Sequence, residues 1–126
     1  MTQSIEILKF DTDHGLGTRA RLGLVVLQTD QTIEHDFARI FRNENDVSLH
    51  VARIPNAMEV SPETLRQMSI DLPRAAELLP SQFGFDVVGY GCTSGAIIIR
   101  ADKIAQTIRT VKPGVLVTDP ITAVTA

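Results

Sequence analysis

The sequence predicts a three-layer α/β domain: a mostly parallel four-stranded sheet with helices on both faces. Three observations predict it. The run Leu24-Val25-Val26-Leu27 is apolar at every position, as a strand buried on both faces must be. Each short apolar run is followed by residues recurring at helical spacing, in the order β-α-β-α-β-α-β-α, which calls for a doubly wound layer. The 126 residues, 44% of them hydrophobic, suffice for one domain with a real core.

Residues 1–20 are mixed and charged, and read as a loose leader or a partner-contacting arm ahead of a domain spanning 21–126. The first strand covers residues 21–28. Asp30 and Thr32 are N-cap candidates for a helix on which Ile33, Phe37, Ile40 and Phe41 recur at helical spacing. Residues 46–54 alternate Val47, Leu49 and Val51 as a second strand. Ser61-Pro62 pairs an N-cap with a first-turn proline. Pro73 is expected to split or kink the helix that follows, which reaches Leu79. A loop over 80–84 leads to a third strand, 85–90. Beyond it Ile104, Ala105 and Ile108 carry a helical face to Val111. Pro113-Gly114 breaks that helix before a fourth strand, 115–118, and Asp119-Pro120 opens a last one. No C-cap ends this last helix, which suggests a longer natural protein or an end docked on another chain.

Composition narrows the function. The net charge of -3 gives no reason to expect a nucleic-acid partner. No window approaches the roughly 20 apolar residues of a membrane span. The N-terminus lacks the marks of a secretory signal. The single cysteine excludes an intrachain disulfide and a Cys-rich zinc site, and a reducing, cytoplasmic location is expected. His14, His35 and His50 have no ligand spacing, so no metal is expected.

The stretch that carries chemistry is Gly91-Cys92-Thr93-Ser94-Gly95. It follows a strand and precedes a helical segment, so unpaired amides point out of the turn and favour an anion. A thiol placed there is expected to be drawn toward thiolate. In open α/β sheets the ligand crevice lies at the carboxyl ends of the strands. That rule gathers residues 28–32, 53–58, 91–95 and 118–122, with Arg53 as the one cation, and suits a small carboxylate. No lysine follows the glycines, so the turn is not a P-loop. Arg100 lies too far along for a phosphatase-type anion loop. Asp30 is a carboxylate to watch, although capping explains it more simply.

These residues bear a resemblance. The cysteine turn, with Arg21-Leu-Gly-Leu-Val-Val-Leu-Gln-Thr-Asp, His50-Val-Ala-Arg-Ile-Pro, Ser61-Pro-Glu-Thr-Leu and Pro113-Gly-Val-Leu-Val-Thr-Asp-Pro, resembles the aspartate/glutamate racemase superfamily. The branch is that of maleate cis-trans isomerases, arylmalonate decarboxylases and ectoine-utilisation proteins. The resemblance implies one half of a two-domain racemase-like fold, with a cysteine from each half facing a shared cleft. Cys92 matches the first-half cysteine as the catalytic group. Thr93 and Ser94 match the residues that hold the substrate carboxylate, and Gln28 and Thr29 match the turn lining the same pocket. The second cysteine and a tyrosine beyond the first half have no counterpart here. Amino-acid racemases carry Cys-Asn-Thr where this chain has Cys-Thr-Ser, which points away from an amino-acid substrate. The implied activity is a cofactor-independent isomerase, racemase or decarboxylase acting on a small mono- or dicarboxylic acid. The alternative is a catalytically incomplete domain that binds a carboxylate or pairs with itself; a homo-oligomer is expected either way.

Overall fold

The computed structural model describes residues 5–82 and 84–126. The first four residues of the expected leader, and residue 83 in the expected loop over 80–84, lie outside them. Residues 5–15 form no helix or strand. The elements are β1 (Ala20–Leu27), α1 (Ile33–Ile40), β2 (Val47–Ile54), α2 (Pro62–Glu77), β3 (Val87–Tyr90), α3 (Thr93–Ile99), α4 (Ala101–Val111), β4 (Leu116–Thr118) and α5 (Pro120–Thr125). The strands lie in the order β2-β1-β3-β4, and all three pairings are parallel.

Register explains the layers. Val25 of β1 stands beside Ala52 of β2 and Tyr90 of β3. These residues, with Ile54 and Val88, form one sheet face, packed against Met68 and Leu72 of α2, Ile99 of α3, and Ile104 and Ile108 of α4. On the other face Leu24 and Gly89 share a hollow with Ile33 and Phe37 of α1 and with Pro120 and Ala123 of α5. Helices therefore cover both faces, unequally: α1 and α5 contain no fully buried residue.

The helix starts follow their caps. The Ser61 hydroxyl accepts from the Thr64 amide, and the Thr64 hydroxyl accepts from the Ser61 amide. The Asp30 carboxylate accepts from the amides of Thr32 and Ile33 at 2.9 and 2.8 Å, heading α1 from two residues before Thr32. Asp119 accepts from Ile121 and Thr122 to start α5.

Two expectations are narrowed or corrected. Of the two alternatives at Pro73, the split is not found: α2 is one helix from Pro62 to Glu77. Buried Met68 and Leu72 before the proline, and Ala75 and Ala76 after it, share one face against the sheet. That burial outweighs the one backbone hydrogen bond a proline forgoes. The segment after Cys92, in contrast, is two helices. Arg100 stands between them at φ 80, in the left-handed region that favours glycine. The turn keeps both Ile99 and Ile104 in the core, and such a residue costs about 1–3 kcal/mol in backbone strain.

Candidate functional site

The strand order creates the site. From β1 the chain crosses to β2 on one side, whereas β3 and β4 lie on the other. Connections leave the carboxyl ends of β1 and β3 in opposite directions, which opens a crevice between them. Gln28 and Thr29 stand at the end of β1, and Gly91 and Cys92 at the end of β3. The Gly91 amide donates to the Val25 carbonyl at 2.8 Å, fixing the two ends together.

Cys92 is the residue before the first turn of α3, in extended conformation, and is half-buried. Its sulfur accepts a hydrogen bond from the Gly95 amide at 3.3 Å. Cys92 lines a cavity of about 100 Å3 together with Ser94, Asn56, Glu59, Thr64 and the apolar wall of Leu65 and Met68. Larger hollows exist, such as the one of about 370 Å3 lined by residues including Phe85, Lys112 and Pro113. That hollow sits at the amino-terminal end of β3, away from the crevice, and the ammonium of its Lys112 is committed to the Leu79 and Pro80 carbonyls.

The expected site residues divide. Cys92 and Ser94 line the cavity. Thr29 reaches it through Asn56: its amide and hydroxyl stand 3.3 Å from the Asn56 carbonyl oxygen, and the Asn56 amide donates to its hydroxyl at 3.0 Å. Gln28 and Thr93 occupy the same end of the sheet, exposed, without lining the cavity. The Thr93 and Ser94 amides lie ahead of the first intrahelical bond of α3, which runs from Ala96 to the Cys92 carbonyl.

Arg53 is not a cation awaiting a ligand. Its guanidinium donates to the carbonyls of Leu27, Gln28 and Asp30 and pairs with Glu34 at 2.6 Å. It braces the turn after β1 instead. Asp30 is likewise committed: the Ile33 and Thr32 amides, against some desolvation and with help from Arg53, lower its pKa below the ordinary carboxylate value. His50 packs edge-on against Phe85, with ring centroids 5.7 Å apart, and His35 is exposed. No group of three or more potential metal ligands occurs among the described residues.

Sequence reasoning singled out none of three further residues. Asn56 lies within the gathered stretch 53–58 and Glu59 just beyond it, in the irregular loop after β2, where no periodicity marks which side chains turn inward. Tyr90 reads as the aromatic end of a strand. It is 1% exposed, and a Cβ on Gly95 would run into its hydroxyl and lie 3.2 Å from the Cys92 sulfur. The signal was the two-residue spacing from Tyr90 to Cys92, which sends both side chains to one face. Burial, then the neighbouring Cys92, raises the Tyr90 pKa far above its ordinary value, so the phenol keeps its proton.

The fold has counterparts among solved structures. The maleate isomerase Iso from Pseudomonas putida S16 superimposes with a TM-score of 0.67 at 19% identity, over 83% of this chain and 46% of that one. The fold is like that of half a maleate isomerase. The Nocardia farcinica maleate cis-trans isomerase gives a TM-score of 0.65 at 22% identity, with the same two coverages. A cysteine-to-serine variant of the Nocardia enzyme, at 0.67 and 22%, holds a covalently bound succinylcysteine intermediate. At these identities the likeness is one of fold, and this chain spans less than half the length of the isomerases it matches. No protein-family model and no curated protein matches the chain. Among the described residues, no helix is long and apolar enough to cross a membrane.

Proposed function

We propose that this chain is a carboxylate-binding α/β unit carrying one thiol of a cofactor-independent isomerase-type cleft, and that these 126 residues alone do not turn substrate over. The observation that carries the reading is the sulfur itself. Cys92 lines the cavity at the crevice between β1 and β3, hydrogen-bonded to the Gly95 amide. The amides of Thr93 and Ser94 beside it would receive one carboxylate of a small acid, and Thr29 with Asn56 would bound the far side. Glu59, the one carboxylate in the lining, sits against a dianion. It limits how tightly these residues alone would hold a dicarboxylate.

Two chemistries start from such a sulfur. As a thiolate it would add to an alkene next to a carboxylate, or it would exchange a proton at the carbon beside one. Reversing the proton transfer on the opposite side of the carbon needs a second group. The cavity offers no second thiol, because Cys92 is the chain's single cysteine. A second reading, in which Cys92 suffices for isomerisation or decarboxylation, draws on the shared fold with maleate isomerases and the succinylcysteine seen in one of them.

One assay separates the readings. The 126-residue chain and its Cys92→Ala variant are incubated with maleate and with arylmalonates, and the products are followed by NMR. The proposal expects no turnover by either protein. Turnover that vanishes in Cys92→Ala would overturn it in favour of the second reading.

A further inference from the structure

The Tyr90 hydroxyl is the anomaly of the site. It is buried, and in the resting arrangement no partner meets it with hydrogen-bond geometry. A buried hydroxyl left in that state is costly, and native proteins seldom retain one without use. The Cys92 sulfur nevertheless lies close enough to act on it, both as a charge and as an acceptor. The two groups are adjacent: one Cβ position on Gly95 lies within 3.2 Å of both. Gly95 leaves room for both, since a side chain there would run into the hydroxyl and crowd the sulfur.

We propose that Tyr90 is a positioning residue whose hydroxyl donates to the Cys92 sulfur once that sulfur is ionised, as a second donor beside the Gly95 amide. The inference rests on Cys92 as the reactive group of the cleft, but not on any substrate. A thiol is a weak acceptor and leaves the phenol idle; a thiolate is a strong one. Other charges are arranged so that they do not substitute for this bond. Arg53 is bound to three carbonyls and Glu34, Glu63 pairs with Arg66, and Asp102 with Arg100. Lys103 is exposed, Arg109 donates to the Val115 carbonyl, and Asp119 caps α5. Glu59 faces the cavity and opposes an anionic sulfur.

The test needs no ligand. Cys92 is the only cysteine and Tyr90 the only tyrosine, and the chain has no tryptophan, so thiol alkylation and intrinsic fluorescence each report one residue. Iodoacetamide alkylation is followed across pH for the parent and for Tyr90→Phe, which removes one oxygen. The proposal expects the midpoint of the profile to rise by about one pH unit in Tyr90→Phe, the effect of losing a hydrogen bond to a charged group. It also expects tyrosine fluorescence in the parent to change with the same midpoint. A hydroxyl with a merely structural role would leave the alkylation profile in place. An unmoved midpoint, or parent fluorescence that stays flat while the thiol ionises, overturns the proposal. Neither outcome depends on whether the chain binds or converts an acid.

Discussion

Gly95→Ala tests how the site is packed. Two effects of known sign compete. An alanine inside α3 favours the helix by about 1 kcal/mol over glycine. The new methyl would collide with the Tyr90 hydroxyl and stand 3.2 Å from both a ring carbon of Tyr90 and the Cys92 sulfur. Tyr90 is wedged in the core at 1% exposure and cannot swing away. Overpacking of this kind costs about 1–3 kcal/mol, so after the propensity gain of about 1 kcal/mol the variant is expected to lose up to roughly 2 kcal/mol. In a domain of this size that lowers Tm by up to roughly 8 °C, read by thermal circular dichroism. The companion Tyr90→Phe removes a buried hydroxyl without a partner, and is expected to be neutral or stabilising by up to about 1 kcal/mol. Combining the two should recover part of the Gly95→Ala loss, because the atom struck is gone. A Gly95→Ala protein more stable than the parent, as helix propensity alone would make it, would refute the placement of the Tyr90 hydroxyl over Gly95.

Other predictions follow from the same contacts. Asp30→Ala removes the carboxylate that heads α1 and is expected to cost about 1 kcal/mol at neutral pH in urea denaturation. Because the folded pKa of Asp30 lies below its ordinary 3.8, this stabilisation is full above that value and fades as pH falls through the lower one; a difference that ignores pH in this acid range contradicts it. Arg53→Lys replaces a planar fork serving three carbonyls and Glu34 with a single ammonium, and should speed amide hydrogen exchange in residues 28–33; unchanged exchange would mean the brace is dispensable. Ile97, Leu116 and Val124 are 61%, 64% and 84% exposed, so the chain is expected to self-associate with rising concentration in sedimentation. A monomer throughout would count against that.

Much of the fold was legible because parallel strands announce themselves. Leu24 to Leu27 have no polar face, and the caps at Ser61, Asp30 and Asp119 are local chemistry written in a few residues. What was illegible depended on tertiary context. Pro73 looks like a stop until Leu72, Ala75 and Ala76 are seen buried on one face of the helix that contains it. Arg100 is no glycine, so nothing local foretells a left-handed residue between α3 and α4. At the candidate site, the place of Cys92 between β3 and a helix start was legible from its turn, whereas the commitment of Arg53 to backbone carbonyls was hidden. A charged side chain's partners lie in other segments, here 23 to 26 residues away. The Tyr90 hydroxyl escaped notice because its burial without a hydrogen-bond partner is a matter of tertiary packing.

At the centre of the account is the proposal that the amides beside the Cys92 sulfur take a small acid. The most direct measurement is an amide NMR titration of the 126-residue chain with a small carboxylate, before and after alkylation of Cys92. The account predicts saturable shifts concentrated at residues 28–29, 56 and 92–95, abolished once the thiol is capped. Shifts scattered over the surface, or undiminished by the capped sulfur, would contradict it.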